Sequence, residues 1–192
     1  VIPQFIFKKI DKILIFVLVS VFFLYNLKTI SYGLPFFLNA DETSFQYSTL
    51  NYLKLLTGDF DQFIKGHNPI YASLINMILI LKFVFINEMI FNALNFKEIY
   101  TKIYFNTELF IFYGRVASLF ITSLSIFTMY LIFKKLKIHA FIYSILIITF
   151  TTSLVIFDIS TVNGKNSYYL LIFLIQIYFL IKFLLKIEKF NP

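Results

Sequence analysis

The chain contains no cysteine and no tryptophan, and in 192 residues it has only 5 glycines and 4 prolines. The missing cysteines exclude disulfides and thiolate metal sites, and leave the redox compartment unread. With so little glycine and proline there is no phosphate-cradling glycine-rich loop. His-x-x-x-His pairs and serine-nucleophile motifs are missing too, so nucleotide-sugar or ATP chemistry has no support. Charge is also scarce: 14% of residues are charged, against 59% hydrophobic and 21% aromatic. A water-soluble domain of this size needs far more polar surface, so the composition is that of an integral membrane protein. Arginine is nearly absent, with Arg115 alone against sixteen lysines. In a chain that uses lysine by default, one arginine inside an apolar run points to a need for a guanidinium.

The net charge of +7 does not imply nucleic acid, because the lysines flank apolar runs and read as topology signals. Lys8, Lys9 and Lys12 precede the apolar run from Ile13 to Tyr25. No small-residue cleavage site follows, so the pattern is that of an uncleaved signal anchor with a cytoplasmic start. Four more apolar stretches follow, at 70–86, 109–133, 138–157 and 168–185. About 20 helical residues cross the hydrocarbon, so 70–86 is marginal. If 70–86 lies at the interface, Lys134, Lys135, Lys137, Lys182, Lys186 and Lys189 all fall on the side of Lys8, Lys9 and Lys12. The positive-inside rule therefore predicts an all-α polytopic bundle with spans at about 13–30, 109–133, 138–157 and 168–185. It makes 70–86 an outer juxtamembrane or re-entrant helix within an outer loop of about 39–107. Phe45, Thr49, Tyr52 and Leu56 recur at helical spacing in that loop, as in a short surface helix ending at Gly58. Asn163-Gly164 reads as a turn. A start at Val1 and an end at Pro192 read as a piece of a longer polypeptide.

Asp41-Glu42, between the first span and the surface helix, is the most informative pair. Ionisable groups close to hydrocarbon are costly and default to functional hypotheses. A carboxylate at a helix start also suits the macrodipole, and Asn39 with Glu42 has capping-box spacing. Arg115 is placed to meet a phosphate or to anchor the outer loop, for example through Glu108. His67 beside Pro69, Lys165 in the short last outer loop, and Asp158 at a span end are further polar groups facing the same side. Asp59 and Asp61 read as solvated turn residues. Asp41, Glu42 and His67 supply only an incomplete oxygen and nitrogen shell, so a divalent cation is an open option and no other cofactor is indicated.

An uncleaved first span is followed by Asp41-Glu42, then Gly58-Asp59-Phe60, then His67-Asn68-Pro69-Ile70-Tyr71, then Tyr113-Gly114-Arg115-Val116-Ala117-Ser118. This order resembles the amino-terminal part of membrane glycosyltransferases of the GT-C fold, in the style of the protein O-mannosyltransferase and aminoarabinose-transferase group. Many relatives carry an Asp in the last outer loop, where this chain has Asn163-Gly164-Lys165-Asn166-Ser167. The resemblance implies transfer of a sugar from a polyprenyl-phosphate carrier to an extracytoplasmic glycan, lipid or protein acceptor. Asp41 would be the catalytic base, with Glu42, His67, Arg115 and Lys165 as substrate-binding candidates. It further implies a cell-envelope enzyme of a bacterial inner (plasma) membrane, inactive as this portion alone. The rival readings are a transporter or lipid flippase whose acidic pair binds cation or substrate, and a structural subunit of a membrane complex.

Overall fold

The computed structural model describes residues 4–31, 45, 48–49, 51–52, 70–91, 98, 101–102, 106–161 and 164–187. Among these residues there is no strand, and six helices account for most of the chain. They are α1 (Gln4–Leu27), α2 (Ile70–Phe91), α3 (Thr107–Lys135), α4 (Ala140–Thr151), α5 (Leu154–Thr161) and α6 (Lys165–Ile187). The protein is thus all-helical, and its long apolar helices carry membrane character.

The organising element is α3, the most buried of the long apolar helices, with one exposed stripe at Phe120, Leu124 and Phe127. Its start is set locally: the Asn106 side chain accepts from the Leu109 backbone N–H at 2.9 Å, and Glu108 lies in the first turn. Lys134 and Lys135 occupy the last turn. Cap, acid and bases each match the end of the helix dipole they sit on. Within α3, Thr122, Ser123 and Ser125 are buried, and their hydroxyls donate to the carbonyls of Ser118, Leu119 and Ile121 at 2.9–3.0 Å. Back-bonding of this kind satisfies a hydroxyl inside an apolar bundle, and the small side chains let neighbouring helices approach. The helix ends in a Schellman turn, in which the N–H groups of Lys137 and Ile138 donate to the carbonyls of Lys134 and Phe133. Lys137 holds a φ of 56° there, a left-handed conformation that costs a non-glycine residue about 1 kcal/mol.

One hydrogen bond and the lining of two cavities fix the direction of the helices. Ile30, just past α1, meets Arg115 in the first half of α3, while Lys12 and Lys134 line one groove, so α1 and α3 are antiparallel. Lys134, Lys135 and Lys137 share a second cavity with Lys182 and Lys186, so α3 and α6 end together. Six lysines thus gather at one end of the bundle, in keeping with the common side expected from the topology rule. The start of α6 lies near the middle of α3, because Tyr168 and Ile121 belong to one buried cluster with Phe45 and Ala72. The 14 residues between Ile121 and Lys135 correspond to about 21 Å of helix. Along the other half of α3 runs α2, with Phe83 edge-on to Phe120 (6.0 Å between centroids) and Met77, Ile80 and Val84 buried with Phe110 and Tyr113.

Several sequence expectations change. The 138–157 stretch is not one helix but breaks between α4 and α5. The Thr152 hydroxyl donates to the Ile148 carbonyl at 2.9 Å, and the Ser153 N–H turns to the Phe150 carbonyl at 3.2 Å. A Thr-Thr-Ser run competes with the backbone ladder and ends it. The 12 residues of α4 rise only about 18 Å, too little to cross hydrocarbon alone. The 70–86 stretch continues to Phe91, and its 70–88 portion joins 108–135 and 165–186 as a helix long and apolar enough to cross a membrane. The first span ends as a helix at Leu27 and continues as a turn through Ser31, with a described apolar part of Lys12–Leu27.

Candidate functional site: a buried polar layer remote from the lysines

In the half of the bundle away from the clustered lysines, buried side chains become polar. Asn76, in the second turn of apolar α2, is fully buried and joins three segments. Its Oδ1 accepts from the Tyr168 hydroxyl at 2.7 Å, and its Nδ2 donates to Thr49 Oγ1 at 3.1 Å. The Thr49 hydroxyl donates in turn to the Phe45 carbonyl at 2.9 Å. Above this chain of bonds, the Phe45 ring meets Tyr168 at 5.7 Å between centroids. A side-chain amide with donor and acceptor both engaged inside an apolar site fixes the register of all three segments. The described residues 45, 48, 49, 51 and 52 are helical, as the spacing predicts, but Ser48 and Asn51 are buried along with Phe45 and Thr49. Burial thus extends beyond the Phe45–Thr49–Tyr52 stripe to Ser48 and Asn51. Leu56 and Gly58 lie outside the described residues.

Arg115 lies two turns before Thr122 on α3 and is buried at 5% exposure. Its Nη1 donates to the Ile30 carbonyl at 2.8 Å, across 85 residues of sequence. Ile30 is itself fully buried in the turn that follows α1. The guanidinium thus clamps the end of the first span to the central helix through a backbone carbonyl, while Glu108 is exposed to solvent. Lys165 is half-buried and opens α6 one turn before Tyr168, just after the bend at Gly164 whose carbonyl accepts from the Ser167 hydroxyl at 3.2 Å. Arg115 and Lys165 therefore lie in the same half of the bundle on different helices. Asp158 is exposed near the end of α5. Asp41, Glu42 and His67 fall outside the described residues, as do Asp59 and Asp61.

A second polar group escaped the sequence reading. Glu88, near the end of α2, is 2% exposed, and its Oε2 takes a 2.7 Å ion pair from Lys102. Asn87 Nδ2 donates to its Oε1 at 3.1 Å, and both face Tyr113 on α3. The signal for Asn76 and Glu88 was available: each is a polar residue inside a predominantly apolar run, which by itself marks a built contact. Among the described residues no group of three or more His, Asp or Glu side chains converges as a metal shell.

No family model, no curated protein and no solved structure matches this chain.

Proposed function

We propose that this protein acts as a GT-C-like membrane glycosyltransferase, moving a sugar from a polyprenyl-phosphate carrier to an extracytoplasmic acceptor. The observation that carries the reading is the double tether of the segment bearing the acidic pair. On one flank the Arg115 guanidinium holds Ile30, and on the other Asn76 and Tyr168 hold Thr49 and Phe45. Asp41 precedes Phe45 by four residues, a length of chain that reaches at most about 14 Å. Tethers on both flanks suit a carboxylate that must be held for chemistry, because a catalytic group works only when its support is fixed.

The chemistry then has a simple form. Asp41 removes the acceptor proton as the acceptor oxygen bonds the anomeric carbon, on the face opposite the leaving polyprenyl phosphate. Cationic and donor groups stabilise the charge on that phosphate, the role assigned to Lys165 and His67. Arg115 acts as the anchor of the acidic segment, and Glu42 orients substrate or helps hold a divalent cation if one is used. The apolar helices keep the polyprenyl tail in hydrocarbon while the sugar-phosphate sits at the polar layer.

The test is polyprenyl-phosphate release from a polyprenyl-phosphate-linked sugar by the intact polypeptide in native membranes. Asp41→Asn should lower release by about 10²–10⁴-fold, the usual worth of a general base, at unchanged membrane insertion. Unchanged release would remove Asp41 as the base. One observation favours the transporter reading instead: the α4–α5 break at Thr152 and Ser153 is a discontinuous helix of the kind transporters use at their binding sites. Ion or solute flux without release of polyprenyl phosphate would support it.

A further inference from the structure

The opposite end of the bundle carries a feature that neither sugar transfer nor topology requires. Five lysines from two helices and their loop (Lys134, Lys135, Lys137, Lys182 and Lys186) line one cavity of about 820 Å³ between the ends of α3 and α6. All five are exposed, and no described carboxylate lines the cavity. A topology signal needs lysines in the right loops, but it does not need them to converge. Convergence of like charges is unfavourable unless an anion answers it.

Backbone geometry adds a second, independent observation. Lys137 stands at the position of the Schellman turn where glycine is usual, and it adopts the left-handed φ of 56° that glycine would take without strain. Strain retained at a residue whose side chain lines a cavity points toward function. A third observation concerns the neighbouring surface. Lys134 also lines the apolar groove between α1 and α3, about 800 Å³ in volume, which runs from Lys12 to Leu24 along α1. Its ammonium lies 3.3 Å from the Tyr130 hydroxyl and 5.5 Å from the ring centroid, at the mouth of that groove.

We propose that this basic cavity binds the phosphate of an anionic phospholipid from the leaflet on the lysine side, with an acyl chain lying in the adjoining apolar groove. Basic cavities between helix ends on that side of a membrane suit phospholipid head groups. The groove selects a lipid over a free anion, because its 13 positions from Lys12 to Leu24 span about 18 Å of helix, the scale of one acyl chain. This site is independent of the sugar-transfer reading, which concerns the other end of the bundle.

The test uses the intact polypeptide in phosphatidylcholine nanodiscs containing phosphatidylglycerol, with lipid retained on detergent release read by native mass spectrometry. Phosphatidylglycerol should be retained over phosphatidylcholine. Lys137→Gly and Lys182→Gln should each lower that retention roughly five-fold, the worth of one lysine near an anionic lipid. Lys82→Gln, an equal charge loss on α2, should leave it unchanged. Lys137→Gly should also melt at or above the wild-type temperature, because it relieves the strained turn, so loss of lipid cannot be put down to misfolding. Equal retention of both lipids, an equal loss with Lys82→Gln, or equal stabilisation by inorganic phosphate alone would overturn the proposal.

Discussion

The Tyr168 hydroxyl donates to Asn76 Oδ1 at 2.7 Å, joining the first turn of α6 to the second turn of α2 across 92 residues of sequence. Both side chains are buried, and Asn76 passes the connection on to Thr49. Tyr168→Phe should lower stability by about 1 kcal/mol, near the usual worth of a side-chain bond between membrane helices. Asn76→Ala should cost more, about 2–3 kcal/mol, because it leaves both Tyr168 and Thr49 without this partner. Thermal unfolding in detergent measures both, and the larger effect should be at Asn76.

Arg115 tests the clamp on the first span. Replacing it by Gln should cost about 2 kcal/mol, the scale of a charged hydrogen bond to a buried carbonyl. Arg115→Lys should recover little of this, since an ammonium lacks the planar fork that reaches Ile30. A melting temperature equal to wild type for Arg115→Gln would mean that the contact does not hold the turn after α1, and one equal to wild type for Arg115→Lys would mean that the charge alone suffices.

The ion pair at the end of α2 is asymmetric: Glu88 is 2% exposed and Lys102 40%. A double-mutant cycle with Glu88→Gln and Lys102→Met should return a coupling of about 1–2 kcal/mol. That coupling should change little with salt, because the carboxylate is hidden from solvent and weakly screened. A coupling that vanishes at high salt would mark the pair as a surface contact.

The lack of native cysteine makes a labelling map clean. Single cysteines in place of Leu136 and Gly164 stand at the close of α3, among the lysines, and just before α6, away from them. A membrane-impermeant thiol reagent added outside should label position 164 and spare 136. Cysteines at Asp61 and Asn95 then decide α2: labelling of both places it on the outer side, and protection of 95 makes it a span.

Much of the architecture was legible because it is written locally. The runs at 109–133 and 168–185 became helices α3 and α6, each a few residues longer than its apolar core, since caps and lysines extend a helix beyond its hydropathy. The run at 138–157 misled because a hydropathy window averages over Thr151-Thr152-Ser153, whose hydroxyls end the helix without lowering apolarity much. Arg115 stood out by composition, but the Ile30 backbone carbonyl that it meets is something no side-chain pattern announces. Asn76 and Glu88 are readable as polar residues in a largely apolar helix, but nothing local in the sequence names their partners, Tyr168 and Lys102.

Sequence alone determined that this is a helical membrane protein, where its apolar segments lie and which loops carry positive charge, because hydropathy and charge act residue by residue and add along a window. Only the tertiary structure decided that α3 is the centre, that α2 and α6 occupy its two halves, and that Asn76, Thr49 and Tyr168 form one network. It also decided that five lysines converge on one cavity. These relations depend on which helix faces meet, and the free energy of such contacts belongs to pairs of residues far apart in the chain, where no local periodicity can express it.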